Sequence, residues 1–177
     1  MDTALPANTF SWNNLGDIQL GRPNLGPMVP VVAYRLLRST LWEMLIGEFG
    51  PEKANDIFRR AGNLTGKEFC HNLLDKNLPF SEFVAQLQKV LKEQRLGLMR
   101  MESMDLKTMR FTLAIAEDLD CSGLPCTNEV VCQYDEGFIA GILEVYTGKE
   151  FKVIETDCWA SGARVCRFAA RLIEDAS

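Results

Sequence analysis

The spacing of apolar residues changes once along the chain, from a helical repeat to a strict alternation. Between Val31 and Ile46 apolar side chains recur every three or four residues, and similar runs follow Pro51 and Ser81. This spacing predicts three amphipathic helices. From Thr108 to Ile115 apolar and polar residues alternate, which is typical of a strand with one buried face.

The other elements are predicted from shorter signals. LGLMRMES forms a hairpin with the alternating segment, a helix covers Cys132 to Tyr146, and FKVIET and VCRFAARLI form a second hairpin. A short strand is predicted from Asp17 to Leu20, and Gly62 or Gly66 is expected to interrupt the second helix. The order of elements predicts an α+β fold with helices packed on an antiparallel sheet.

Length and charge limit the classes of protein that need to be considered. A chain of 177 residues can bury the core of one domain, so we expect a partly ordered arm over residues 1–27 and a single domain over 28–177. A net charge of -5 without a cluster of Lys and Arg argues against nucleic-acid binding. The sequence has no secretion signal and no apolar run of membrane length, which predicts a cytoplasmic protein without a membrane span.

Cysteines and one glutamate are concentrated near the C-terminus. In a reducing cytoplasm the six cysteines are expected to be thiols or metal ligands. Cys132 begins a predicted helix, Glu155 and Cys158 end one strand, and Cys166 lies early in its hairpin partner. Three thiolates and one carboxylate suit a closed tetrahedral zinc site. The alternative is that the cysteines are ordinary core residues, and spacing alone leaves both interpretations open.

Other reactive residues give weaker signals. Cys121 and Cys126 lie in a turn-like segment, and we interpret them as loop thiols in preference to a second metal or iron–sulfur site. His71, the only histidine, has no partner motif. Nucleophile-elbow, phosphate-loop and dinucleotide motifs are absent, which makes an enzyme less favoured than a binding module.

The segments CQYDEGFIAGIL and GKEFKVIETDCWASGARVCRFAARL resemble the 4-vinyl reductase domain family. They match its pattern of Cys, a Gly-containing helix, Glu-x-x-Cys, Gly, and a Cys followed by an aromatic residue. The resemblance covers about residues 95–173 and extends more weakly to LGRPNLG and VAYRLL. This family also forms the sensory domain of some aromatic-responsive transcription activators. Its fold is similar to that of trafficking-complex subunits, within the ligand-binding type found in nitric-oxide signalling and Golgi transport.

The resemblance implies a metal site and an oligomeric state. In zinc-containing members the ligands are Cys, Glu, Cys and Cys in this order and spacing, which implies Cys132, Glu155, Cys158 and Cys166 here. Members of the family are commonly dimeric through their helices and N-terminal arm. We therefore expect one structural zinc ion per chain and a homodimer.

The resemblance also implies where a ligand would bind. In phenol-sensing relatives a His and a Trp hold the ligand between a helix and the sheet, and an ungapped count places these positions at Phe83 and Phe111. Met109 shares the inward face of the predicted strand with Phe111, and Ile142 lies on the following helix. These four residues predict a pocket for a small hydrophobic ligand. They are equally typical of an ordinary core.

Three functions remain open from the sequence. The first is a stand-alone small-molecule-binding sensor domain with a structural zinc, which passes its output to a separate signalling partner. The second is an enzyme or carrier-type factor that acts on a tetrapyrrole or another hydrophobic pigment, as the family name suggests. The third is a protein-interaction adaptor with a filled core and an apolar outer surface.

Overall fold

The computed structural model describes residues 10–173 and confirms the α+β prediction, with helices packed against a four-stranded antiparallel sheet. The elements, in chain order, are α1 (Ile18–Gly21), α2 (Val31–Phe49), α3 (Pro51–Leu73), α4 (Phe80–Glu93), β1 (Leu98–Asp105), β2 (Arg110–Ala116), α5 (Gln133–Thr147), β3 (Phe151–Asp157) and β4 (Cys166–Leu172). Residues 117–132, between β2 and α5, form an irregular segment that we call the 117–132 loop.

The sheet contains both predicted hairpins, joined through their inner strands. Its strand order is β1-β2-β4-β3, and all neighbours are antiparallel. Leu113 of β2 lies opposite Phe168 of β4, while Val153 of β3 lies opposite Ala170 of β4. Because α5 leads from β2 to the edge strand β3, the C-terminal hairpin returns to pair with the first one.

Aromatic side chains fill the space between α4, α5 and the sheet. Phe83, Phe111 and Phe168 are each at most 1% exposed. The ring of Phe83 stacks on Tyr146 with a centroid distance of 4.0 Å, and Phe80 stacks on Phe111 at 5.2 Å. These contacts join α4 to α5 and to β2, so the core lies around the predicted ligand pocket.

Helices α3 and α5 pack closely because glycines line their contact. A Cβ atom added to Gly62 would lie 2.0 Å from the carbonyl oxygen of Tyr134, and one added to Gly137 would lie 1.9 Å from that of Arg59. Gly66 and Gly141 are equally close to the opposite backbone. The predicted interruption of the second helix is therefore wrong: α3 is continuous, since these glycines allow close packing.

The segment before α2 differs from its prediction. The expected strand from Asp17 to Leu20 is wrong, because residues 18–21 form the single helical turn α1. The Asp17 carboxylate caps this turn by accepting a hydrogen bond from the Leu20 backbone N–H at 2.8 Å. The part of the predicted arm over residues 1–9 lies outside the described residues.

Helix α2 lies at the outside of the molecule and is apolar on its outer side. Leu37, Leu41 and Met44 follow one another at helical spacing and are 68%, 50% and 63% exposed. Tyr34, Arg35 and Arg38 of the same helix bond to the 117–132 loop. Within the described part of the chain, none of the helices is long and apolar enough to cross a membrane.

Candidate metal centre and adjoining cavities

Four cysteines from four parts of the fold meet in one buried cluster. Cys121 comes from the 117–132 loop, Cys132 precedes α5, Cys158 follows β3 and Cys166 begins β4. All four are 0% exposed, and their Sγ atoms lie within 4.8 Å of one another. The distances are 3.0 Å for Cys121–Cys166, 3.8 Å for Cys132–Cys158 and 3.9 Å for Cys132–Cys166.

This four-cysteine cluster suits a tetrahedral metal ion. A Zn–S bond of about 2.3 Å places two sulfurs of a tetrahedron about 3.8 Å apart, close to two of the three distances. Hydrogen bonds from neighbouring thiols, chiefly Cys121, lower the pKa of Cys158, while the pKa values of Cys132 and Cys166 are raised, with Cys121 again the main cause. The cluster thus favours one thiolate, at Cys158, and disfavours further negative charge at Cys132 and Cys166. A bound divalent cation would stabilise all the thiolates at once.

Glu155 lies beside the cluster and outside the group of four sulfurs. Its Oε2 accepts a hydrogen bond from the Cys132 backbone N–H at 3.0 Å, and its own backbone N–H donates to Glu136 Oε1 at 2.9 Å. Glu155 Oε1 is buried and has no hydrogen-bond partner in the described range 10–173. Burial, and then the charge of Cys158, raise the pKa of Glu155 to about 8.

The structure therefore brings together three of the four predicted ligands and adds Cys121 to them. Cys121 is buried, in contrast to the loop thiol that we expected, whereas Cys126 is exposed. Asp118 explains this position, because its Oδ1 accepts hydrogen bonds from the backbone N–H groups of Asp120 at 2.8 Å and Cys121 at 3.1 Å. The sequence DLDC is compatible with such a turn, but an Asp three residues before a Cys is a weak signal. His71 is exposed and lies outside the cluster.

An enclosed cavity of about 30 Å³ lies between α4, the sheet and α5, and we call it the inner cavity. Phe83, Phe111 and Ile142, three of the four predicted pocket residues, line it with other apolar side chains. The fourth, Met109, lies outside the lining at the start of β2, in a left-handed backbone conformation with φ 51°. The cavity has room for about one or two water molecules, so an organic ligand requires side-chain movement.

A second cavity of about 140 Å³, the outer cavity, lies between α2, α3, α5 and the 117–132 loop. Leu91, Ile115 and Phe138 line both cavities and separate them. One end of the outer cavity is polar, and its side chains there are Tyr34, Asp118, Asp120, Tyr134 and Asp135. This cavity could not be predicted from the sequence, because its walls come from five separate segments.

The sequence is similar to a protein family and to an archaeal relative. The family model of the 4-vinyl reductase domain matches residues 111–172, a range that contains all four clustered cysteines. The uncharacterized protein MJ1642 of Methanocaldococcus jannaschii is 36% identical over 102 residues. This alignment covers 58% of the chain and 60% of that relative's length.

Three solved structures share the fold at low sequence identity. The phenol-responsive sensory domain of the transcription activator PoxR, with phenol, has a TM-score of 0.63 at 14% identity and covers 84% of this chain and 77% of its own. A vinyl-4-reductase family protein from Methanocaldococcus jannaschii has a TM-score of 0.61 at 16% identity, and the match covers 95% of this chain and 100% of that one. Trafficking protein particle complex subunit 3 from Naegleria fowleri, covalently bound to palmitic acid, has a TM-score of 0.58 at 15% identity. The match covers 82% of this chain and 98% of that one. Residues 111–172 thus match the family model, which confirms the resemblance to the 4-vinyl reductase domain family.

Proposed function

We propose that the chain is a small-molecule-binding domain of the sensory type, in which a structural zinc ion holds the wall of an apolar ligand cavity. The observation that supports this most directly concerns α5. Cys132 of the cluster immediately precedes this helix, and its next turns supply Phe138, Ile139 and Ile142 to the inner cavity. A metal at the cluster would therefore fix the position of one cavity wall.

Zinc is the metal that the donor set favours. Four buried thiols without an open position are typical of structural rather than catalytic zinc sites. Thiolate sites also accept iron, and elemental analysis distinguishes the two metals. We propose Cys121 as the fourth ligand because its sulfur lies among the other three, with Glu155 beside them as the alternative.

The inner cavity favours an apolar ligand. Its described lining has no polar side chain, so a buried hydroxyl group would lose its bonds to water without replacement. Phe80, Val84 and Met101 line the cavity and are only partly buried, and they are the side chains that can move to enlarge it. Two similar structures hold organic ligands, phenol in PoxR and palmitic acid in the trafficking subunit.

Toluene is expected to stabilise the Leu96→Trp variant, whose outer cavity is filled, against heat. At ten times its Kd, a ligand that binds only the folded state adds about 1.4 kcal/mol, which raises Tm by about 3–6 °C for a chain of this size. Phenol is expected to bind less well because its hydroxyl group finds no partner in the inner cavity. Thermal unfolding followed by circular dichroism measures both effects.

Matched variants distinguish the inner cavity from other binding sites. In the Leu96→Trp background, Ile142→Phe fills the inner cavity and should abolish the effect of toluene, whereas Ile154→Phe, at a 43% exposed position on β3, should preserve it. If neither toluene nor cyclohexane raises Tm in the Leu96→Trp variant, the inner cavity is a sealed core. An adaptor function would then be favoured over a sensory one.

We further propose that the domain is a homodimer in which the outer face of α2 packs against a second copy. Leu37, Leu41 and Met44 form an exposed apolar stripe, and among residues 10–173 no other element covers it. Such a stripe is typical of a protein interface. A dimer would also connect the 117–132 loops of the two copies, because Arg35 and Arg38 bond α2 to this loop.

The double variant Leu37→Glu/Leu41→Glu is expected to be monomeric at concentrations where the parent protein is a dimer. Two carboxylates in an apolar interface must be desolvated without partners, which costs several kcal/mol. Sedimentation equilibrium measures the mass. Leu106→Glu, at a 53% exposed position in the turn between β1 and β2, is the control and should leave the dimer intact. A double variant with the mass of two chains would contradict the proposal.

A further inference from the structure

The outer cavity has the size and walls of a site for a single aromatic ring. Its volume is about 140 Å³, and an apolar cavity of about 150 Å³ binds benzene. Phe69, Leu91, Leu96, Ile115 and Phe138 supply apolar surface. The outer cavity is thus about five times larger than the inner cavity, and a ring can enter it without the same enlargement.

The polar end of this cavity has one acceptor that protein groups leave unused. Asp120 accepts hydrogen bonds from Tyr34 at 2.6 Å and Arg38 at 2.9 Å, and Asp118 accepts two from backbone N–H groups. Asp135 Oδ2 is also buried, but it has no hydrogen-bond partner within residues 10–173. A buried acceptor without a partner is costly, so a ligand with a hydrogen-bond donor would gain binding energy here.

The charges around Asp135 favour a donor that is basic. The described lining contains three carboxylates, from Asp118, Asp120 and Asp135, and no basic side chain. Arg38 pairs with Asp120 and also donates to the Val131 carbonyl oxygen, and within residues 10–173 it makes no hydrogen bond to Asp135 Oδ2. Burial raises the pKa of Asp135, and that of Asp118 to about 7, because the lining offers their charged forms no cation. An ammonium group would supply the missing positive charge beside Asp135, whereas an anionic ligand would find no basic side chain here.

We propose that the outer cavity binds a small aromatic amine, with its ring against Phe69, Leu91 and Phe138 and its nitrogen donating to Asp135 Oδ2. This site is separate from the inner cavity and does not depend on the sensory function proposed for that cavity. Tyr34 of α2 lines the site next to Asp120. A bound amine would therefore contact α2, the 117–132 loop and α5 at once.

Benzylamine is the probe that tests this site, with benzoate as an anionic compound of similar size. Calorimetric titration of the full chain should give a Kd in about the millimolar range or tighter for benzylamine, and no binding of benzoate. Amide signals of Thr65 and Leu96, which line the cavity, should shift in a nitrogen–proton correlation spectrum. Absence of benzylamine binding at several times this concentration would overturn the proposal.

Variants assign the binding to this cavity. Leu96→Trp fills it and Asp135→Asn removes the carboxylate, and each should weaken benzylamine binding at least about ten-fold. Glu117→Gln, an exposed carboxylate of the same loop, should leave the Kd unchanged. If Leu96→Trp does not fold, Leu119→Phe fills the same space. Unchanged binding in the cavity-filling and Asp135 variants would contradict the site.

The two cavities can fail independently. Ile142→Phe should leave the Kd for benzylamine unchanged, and in the Leu96→Trp background it should abolish the remaining effect of toluene, because Ile142 lines only the inner cavity. Leu96→Trp should have the opposite effect, because Leu96 lines only the outer cavity. Loss of benzylamine binding in Ile142→Phe alone would place the amine in the inner cavity and overturn the assignment.

Discussion

Replacement of Cys158 by serine is expected to remove the metal and a large part of the stability. The parent protein should contain about one zinc per chain, measured by elemental analysis after purification without added metal, and Cys158→Ser should contain almost none. The cluster links the 117–132 loop, α5 and the β3–β4 hairpin. Loss of the metal would therefore release the connection between three segments. Loss of a structural metal is expected to lower the free energy of unfolding by about 4 kcal/mol or more. This corresponds to a decrease of about 8–16 °C in Tm for a chain of this size.

Three further variants identify the fourth ligand. If Cys121 is the ligand, Cys121→Ser should lose zinc like Cys158→Ser, while Glu155→Gln should keep it. The opposite result would restore the ligand set implied by the family resemblance. Cys70→Ser is the control for a polar group placed in the core: Cys70 is 0% exposed and outside the cluster, and burial raises the pKa of its thiol to about 11. This variant should lose stability but no zinc.

Gly137→Ala is expected to destabilise the protein by about 3 kcal/mol, which corresponds to about 6–12 °C in Tm. The added methyl group would lie 1.9 Å from the Arg59 carbonyl oxygen, and this atom belongs to the backbone of α3. It cannot rotate away as a side chain does, so α3 and α5 must separate along their contact. Thermal unfolding of the zinc-loaded protein measures the loss.

Gly47→Ala is the matched control for this helix contact. Gly47 also lies inside a helix, but nothing lies within 4 Å of an added Cβ atom there. Alanine favours a helix over glycine by up to about 1 kcal/mol, so Tm should stay the same or rise slightly. Equal Tm values for the two variants would show that α3 and α5 are farther apart in solution than the structure places them.

The elements of this fold could be predicted from the sequence where one physical signal dominates. The alternation from Phe111 to Ile115 gave β2, and the helical repeat after Pro51 gave α3. The predicted helix break at Gly62 or Gly66 was wrong, because it was based on the low helix propensity of glycine and not on the packing of the partner helix. Propensity is local, but the close contact that requires these glycines forms only when α5 is in place.

In the metal site, too, only the contacts that depend on neighbouring segments could be predicted from the sequence. Cys158 and Cys166 flank a hairpin turn, so their approach follows from local pairing. Cys121 joins them from a loop whose path depends on the Asp118 carboxylate and on the bonds from Arg35 to the backbone carbonyl groups of Leu119 and Ser122. No periodic pattern encodes such a path. The outer cavity was missed for the same reason.

The attachment of α2 has a consequence for how metal supply could be sensed. Tyr34, Arg35 and Arg38 bond α2 to the loop that contains Cys121. If the cluster binds the proposed metal, loss of that metal would loosen this loop and so weaken the attachment of α2, the helix of the proposed dimer interface. Zinc starvation would then favour single chains over pairs, and the oligomeric state of the protein would report the metal status of the cell.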